Sequence, residues 1–386
     1  MLSSSAAAFL EQNRSKDAQS FNYNRNHVGM TVIAMDLLSQ RFPDEQWPKV
    51  VAIYCEDMVP ELDARPVPTF GGAQDLDAVV TDETLEVHLG KPSYATAFAR
   101  YFFGKAAALG GDADKIPTLM STYFIREVQH GVHAAAFHAL LRISFGIDAG
   151  DAGEVAAGLA YLYSGHAPVP LSTSPAAPVE GEAIKAAVAK LLQNEPLLMR
   201  VDLSECKSLQ ARQEAYFKVP EFMAAVDAFP HKDMLAVMAA MDRVFVELYG
   251  QYHDFSVLHC VTGANALRAV LPFLLPEGVS AAWAAALATV GCTEALRRQE
   301  APRTTQAAPL PLDELSSGVV DWATLCHEML CRLVARRKSK ELSSSAFEHT
   351  VKLMYALLQI KDRYPELDDA LYALMKREVV APSPFR

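Results

Sequence analysis

The segment at 27–41, HVGMTVIAMDLLSQR, decides the fold class of this chain. It places Val28, Val32, Met35 and Leu38 three or four residues apart, which is the spacing of one face of an α-helix. Strand-like alternation of apolar and polar residues is nearly absent outside it, and even 50–54 is better interpreted as helix. The helical period recurs at 92–109, 117–146, 152–163, 181–194, 219–228, 231–249, 255–274, 278–298, 318–337, 345–362 and 366–378. The pattern predicts an all-α protein.

Two irregular segments interrupt the helical pattern, 59–76 (VPELDARPVPTFGGAQDL) and 164–180 (SGHAPVPLSTSPAAPVE). Both are rich in Pro, Gly and Ser, but neither is flanked by a change in composition. Loops of this length are as often functional lids within a domain as linkers between domains. We therefore expect one large helical domain over residues 1–386, with two tightly packed helical halves as the alternative.

Composition excludes several classes of protein. Of the 386 residues, 51% are apolar and 21% charged, so the chain can bury a large core. A net charge of −11 argues against nucleic-acid binding, which needs clustered Lys and Arg. The longest stretches without charge, 155–179 and 278–293, are broken by prolines or shorter than the roughly 20 residues of a membrane span. With no Cys-x-x-Cys pair and no convincing signal peptide, we expect a reduced, cytoplasmic protein.

Histidines are the residues that could carry chemistry, since serine-hydrolase, P-loop and dinucleotide-binding motifs are missing. His27, His138, His259 and His349 fall in four separate predicted helices, on apolar faces. Lys352 follows His349 by three positions and so lies on the same face. Five others are expected to be surface, capping or ordinary packed residues: His88, His130, His166, His231 and His327. Spacing alone does not distinguish metal ligands on different helices from histidines that pack in the core. Composition and helical periodicity therefore predict only an all-α protein with a candidate histidine-rich metal site.

Five blocks of sequence resemble the questin oxidase-like family. FHALLRISFGIDAGD at 137–151 is similar to the family block Phe-His-x-Leu-Ile-Arg-x-x-Tyr-x-x-Glu, with Phe145 and Asp148 in place of Tyr and Glu. The next helix, EVAAGLAYLYS, resembles Ala-x-x-Leu-Ala-Tyr-Leu. HDFSVLHCVTGANALRAVLPFL resembles Asp-Phe-x-Leu-x-His-x-Val-Thr, EHTVKLMYALL a C-terminal His-x-x-Lys helix, and NYNRNHVGMTVIAMDLL an N-terminal Asn-His helix. Together the blocks cover roughly two-fifths of the chain.

The resemblance implies a non-heme iron oxygenase that opens a ring of an anthraquinone-like aromatic polyketide with dioxygen. The implied iron(II) ligands are His27, His138, His259, His349 and a carboxylated Lys352. His253, His130 and His133 compete for these places. Imidazoles with an oxygen donor and no thiolate suit iron(II) or a similar metal. Burial of a lysine lowers its pKa, which a carbamate requires.

A flat polycyclic substrate implies an aromatic-lined cavity. Phe137, Phe255 and Tyr355 are the substrate-binding candidates, and Phe102, Phe103 and Tyr161 are further candidate walls. Arg142, in an otherwise apolar helix, is expected to pair with a buried carboxylate.

Other functions stay open at this point. They are an NADPH-dependent Baeyer–Villiger-type oxidase, a hydrolase whose lysine carbamate bridges two metals, and a non-catalytic helical protein. The iron-oxygenase hypothesis predicts about one iron per chain, and the hydrolase hypothesis predicts two metals. If the histidines only pack in a non-catalytic protein, no metal is expected. Whether NADPH is needed, which substrate is used and how many chains assemble are not specified by the sequence.

Overall fold

A computed structural model describes residues 2–17, 23–43, 47–63, 75–171, 181–206, 208–227, 233–300, 321–338 and 344–380. These residues form 18 α-helices and no strand, which confirms the predicted all-α fold. The first nine are α1 Ser4–Asp17, α2 Tyr23–Arg41, α3 Trp47–Asp63, α4 Ala95–Ala108, α5 Asp112–Tyr123, α6 Arg126–Gln129, α7 His138–Ala149, α8 Ala152–Ser164 and α9 Gly181–Gln193. The others are α10 Glu195–Leu198, α11 Leu209–Phe217, α12 Pro220–Asp227, α13 Met234–Tyr252, α14 Phe255–Ala269, α15 Pro276–Glu300, α16 Trp322–Lys338, α17 Ser344–Arg363 and α18 Asp368–Val380.

Most of the predicted helices are present, with ends that differ by a few residues. The helix predicted over 117–146 is wrong, because the chain there forms α5, the short α6, a non-helical turn and α7. Helices α1, α10 and α11 were not predicted. His231, most of the segment 59–76 and the second half of 164–180 lie outside the described residues, and the single-domain arrangement stays a prediction.

Helix α15 extends beyond the charge-free stretch 278–293 at both ends. By length and composition Pro276–Gln299 could cross a membrane, but 89% of its most apolar window is buried inside the protein. Burial of this extent is what the central helix of a globular core shows.

Helices α7 and α8 pack closely at the centre of the fold. A Cβ added at Gly146 would lie 2.7 Å from Val155 N, and one at Gly158 would lie 2.7 Å from Ile143 N. Only glycine permits two backbones to approach so closely. Helix α2 packs on α7 and on α17, and α14 also packs on both, so α2, α7, α14 and α17 enclose a common interior.

A buried charge network ties this centre to the N-terminal helix. Arg142 Nε lies 2.9 Å from Glu154 Oε2, and both side chains are completely buried. Arg14 Nη1 adds contacts of 3.4 Å to Glu154 Oε1 and 3.0 Å to Asp151 Oδ2. Burial alone would raise the pKa of Glu154, but Arg142 and Arg14 outweigh it, and the pKa is lowered. The predicted pairing of Arg142 with a buried carboxylate is confirmed.

The turn that replaces the predicted helix immediately precedes His138. Ala135, Ala136 and Phe137 have φ angles of 51°, 57° and 65°, although none is glycine. Each such residue costs roughly 1–2 kcal/mol of backbone strain. Tertiary contacts therefore override the helix propensity of three consecutive alanines here.

Candidate metal centre

Four histidines and a lysine meet in the interior enclosed by α2, α7, α14 and α17. His27 comes from α2, His138 is the first residue of α7, His259 lies on α14, and His349 and Lys352 lie on α17. Each of the five is at most 2% exposed. The structure thus brings together all five residues that the family resemblance implied as ligands.

The imidazole nitrogens converge. His349 Nε2 lies 3.3 Å from His138 Nε2 and 3.1 Å from His259 Nε2. Ligand atoms of His27, His138 and His349 all lie within 4.8 Å of one another. His27 completes the ring of side chains, with its ring centroid 4.4 Å from that of His138.

Backbone carbonyls fix which nitrogen of two rings faces inward. His259 Nδ1–H donates to the carbonyl of Phe255 at 2.8 Å, and His138 Nδ1–H donates to the carbonyl of Ala135. Since a carbonyl only accepts, both protons are on Nδ1 and both Nε2 lone pairs point at His349. At least two lone pairs therefore meet among side chains that are at most 2% exposed, an arrangement that a cation satisfies and that packing alone does not require.

The spacing of these nitrogens suits one metal ion. Two imidazole nitrogens that bind one ion at about 2.1 Å and at right angles lie about 3 Å apart. The observed separations of 3.1 and 3.3 Å are close to this value. Imidazole donors without thiolate suit iron, zinc, copper or nickel, so the geometry fits a first-row metal without naming it.

Lys352 lies against the histidines, 3.4 Å from Nδ1 of His27. Complete burial lowers the pKa of Lys352 to about 7, with the carboxylate of Glu348 opposing the shift. Glu348 is 4% exposed, and its Oε2 lies 3.4 Å from His27 Nδ1 while its Oε1 accepts from Tyr54 at 3.0 Å. Sequence reasoning missed Glu348, although its i, i+4 spacing to Lys352 was a usable signal.

Three of the four histidines, His27, His138 and His259, have a lowered pKa and are neutral in this environment. Burial, reinforced by Lys352, lowers the pKa of His27 and His138 well below the usual value. The same causes lower the pKa of His259 to about 3. Neutral imidazole is the form that binds metals.

The three aromatic candidates occupy different places. Phe255 is half-buried and meets His259 and His349 edge to face, at centroid distances of 4.5 and 4.7 Å. Phe137 is buried, and its ring lies where a Cβ on Gly263 would fall. Tyr355 donates to Asp148 Oδ2 at 3.0 Å, one turn beyond Lys352. Of the three, Phe255 is the one that contacts the histidines.

The competing histidines lie elsewhere. His253 Nε2 is 2.6 Å from Glu378 Oε1, at the end of α13. His133 is completely buried beside Phe217, and burial lowers its pKa to about 3. His130 precedes the turn before α7 and makes no described contact with the cluster.

A cavity of about 220 Å³ lies beyond the left-handed turn. Its walls include Ala135, Tyr161, His166, Gln210 and Glu214, and none of the five clustered residues. Because the carbonyl of Ala135 accepts from His138, this residue connects the cavity wall to the histidine cluster.

Comparison with known proteins agrees with this geometry. The family model described as questin oxidase-like matches residues 48–357, which include His138, His259, His349 and Lys352. His27 lies ahead of the matched region, so its place in the site rests on the structure. No curated protein matches the chain. The matched region covers most of the chain, which therefore belongs to the questin oxidase-like family.

Proposed function

We propose that the protein is a non-heme iron-dependent oxygenase that oxidatively opens a ring of an anthraquinone-like aromatic polyketide. The observation that carries the proposal is the convergence of buried imidazoles whose inward nitrogens lie 3.1 and 3.3 Å apart. Family membership supports an oxidoreductase. Iron(II) held there would supply the redox centre that dioxygen needs in order to react with a closed-shell aromatic compound.

In this proposal His27, His138, His259 and His349 hold the iron. The carbonyls of Ala135 and Phe255 keep the rings of His138 and His259 turned inward, so that ligand geometry is set before the metal binds. Phe255 lies beside two of the histidines and offers an apolar wall to a flat substrate.

Lys352 supplies the fifth donor in the proposal, as a carbamate. The ammonium of Lys352 first loses one proton; the neutral amine then attacks carbon dioxide, a C–N bond forms as one C=O π bond becomes C–O⁻, and a second proton leaves the nitrogen, so that a cationic side chain becomes an anionic oxygen donor. A charged ammonium in the same place would repel a metal cation, which is why conversion of Lys352 and metal binding support each other. The carbamate gives four neutral imidazoles one negative charge and stabilises a divalent ion.

Metal analysis of untagged protein, purified without chelators, tests the proposal. We expect about one iron per chain and iron-dependent oxygen consumption with a hydroxylated anthraquinone. Assays with and without NADPH decide whether a reductant is required. Two metals per chain would favour the carbamate-bridged hydrolase, and protein that binds no metal would overturn the oxygenase proposal.

The Lys352→Ala variant tests the carbamate. Loss of a direct ligand should lower iron affinity more than 100-fold, beyond the range typical of residues that only support ligands. Millimolar acetate should partly restore binding by replacing the anionic donor. Lys361→Ala, on the same helix but placed over the Trp322 ring, is the matched control and should bind iron normally. Unchanged iron affinity in Lys352→Ala would refute the carbamate.

A further inference from the structure

Two histidines of the cluster are oriented in different ways. His259 donates to the carbonyl four residues earlier on its own helix, an acceptor that any regular helix provides. His138 is the first residue of α7 and has no helical turn before it, so its acceptor is the carbonyl of Ala135 in the left-handed turn. The orientation of His138 therefore depends on how that turn is held.

The turn is held by contacts with distant parts of the chain. Ala135 N–H donates to Gln210 Oε1 on α11, at 3.0 Å. The ring of Phe137 packs against α14 at Gly263, where a Cβ would approach its Cγ to 2.7 Å. The strained backbone persists because these contacts fix it from both ends.

A second contact fixes the side-chain amide of Gln210. Its Nε2 donates to Glu214 Oε1 at 2.9 Å, one turn later on α11. A carboxylate only accepts and a backbone N–H only donates, so the amide has one orientation that satisfies both partners. Glu214, Gln210 and Ala135 line the 220 Å³ cavity, and their hydrogen bonds form one directed series that ends at His138.

We propose that Gln210 is a positioning residue for His138, because its hydrogen bond to Ala135 holds the left-handed turn that presents the Ala135 carbonyl to His138 Nδ1. The inference deepens the proposed function and rests on it only where metal affinity is concerned. Orientation of the ring is a property of the protein itself and is measurable without metal.

Three variants test the proposal. Gln210→Leu removes the acceptor for Ala135 N–H. The double variant Gln210→Glu/Glu214→Gln rebuilds the contacts with the charge exchanged, since a carboxylate at position 210 accepts from both Ala135 and the amide at 214. Gln213→Leu is the control: Gln213 is buried on the same helix but donates to Thr289 at 2.9 Å, away from the turn.

The first measurement is the tautomer of His138 in metal-free protein, from ¹⁵N-histidine NMR with the resonance assigned by a His138→Gln variant. We expect one Nδ1–H tautomer in the wild type and in the double variant, and at least one tenth of the other tautomer in Gln210→Leu. Gln213→Leu should keep the single tautomer even if it lowers stability. A single tautomer in Gln210→Leu would overturn the proposal whether or not the protein binds metal.

The second measurement is metal affinity, with cobalt(II) as a spectroscopic probe. Gln210→Leu should bind it 10- to 100-fold more weakly with an altered visible spectrum, whereas the double variant and Gln213→Leu should match the wild type. Equal affinity and spectrum in Gln210→Leu would contradict the inference. A wild type that binds no metal would refute the proposed oxygenase, and the tautomer comparison would still decide the role of Gln210.

Discussion

The charge network at Glu154 and the histidine cluster at Lys352 are both buried, and both draw on α7. In the network every charge has an opposite partner: Arg142 lies 2.9 Å and Arg14 3.4 Å from Glu154. In the cluster, imidazoles converge on one another, and Lys352 and the carboxylate of Glu348 each lie 3.4 Å from His27. The network contains only charges that the protein itself compensates, whereas the cluster, besides the opposite charges of Lys352 and Glu348, groups imidazole donors that a cation would bring together.

The difference offers a way to recognise a site. Buried polar groups that serve only stability are normally satisfied by the protein. A cluster that gathers lone pairs and lowers the pKa of its own lysine to about 7 costs stability in the metal-free protein. Such an arrangement is a candidate functional site.

The largest expected effect is in the charge network. Arg142→Leu should lower the free energy of unfolding by about 3–5 kcal/mol, because Glu154 stays buried with less compensation. The Arg142→Leu/Glu154→Leu double variant should regain most of this loss. Urea unfolding monitored by far-UV circular dichroism measures both.

The matching change in the histidine cluster should act in the opposite direction. At pH 7, the double variant Lys352→Met/Glu348→Gln should leave metal-free protein as stable as the wild type or more stable, since it removes a buried amine that the unfolded chain protonates more readily, together with the carboxylate that opposes this shift. A loss like that of Arg142→Leu would show that Lys352 belongs to the structural core, and the contrast would fail.

The sequence was sufficient for the fold class and for most helices. Apolar residues at helical spacing are a local property, and segments such as 27–41 carry it in full. The break before His138 was not predictable, because AAAF contains no helix-breaking residue. Contacts with Gln210 and Gly263, far along the chain, set the backbone there.

The site was less accessible to sequence reasoning. Periodicity placed His27, His138, His259 and His349 on apolar faces but could not show that these faces meet. The family resemblance named the set, and the structure brings it together. Glu348 and the Ala135 carbonyl were missed, since a backbone acceptor leaves no trace in sequence.

An intermediate effect is expected from acid pH. His133 has a folded pKa of about 3, below its unfolded value near 6.5, so the unfolded state binds the proton first and stability falls as pH drops below 6.5. Between pH 7 and pH 5 this residue should contribute a loss of about 2 kcal/mol. Unfolding of wild type and His133→Leu at several pH values isolates the contribution.

The carboxylates of the charge network change the free energy of unfolding at lower pH than the histidines do. The folded pKa of Glu154 is lowered, so its stabilisation is present above its unfolded pKa near 4.5 and is lost as pH falls further. Loss between pH 6.5 and 5 therefore reports buried histidines. If His133→Leu and wild type lost stability equally over that interval, His133 would not be the buried neutral group described.

The smallest expected effect concerns the strain in the left-handed turn. Ala136 has a φ of 57°, a conformation that glycine adopts without the Cβ penalty, so Ala136→Gly should raise the free energy of unfolding by up to about 1 kcal/mol. Ala157→Gly, in the middle of α8, is the control and should lower it by about 1 kcal/mol. Thermal and urea unfolding of both variants give the signs directly. If Ala136→Gly and Ala157→Gly lowered the free energy of unfolding equally, the turn would store no strain, and the backbone before His138 would be as relaxed as that of helix α8.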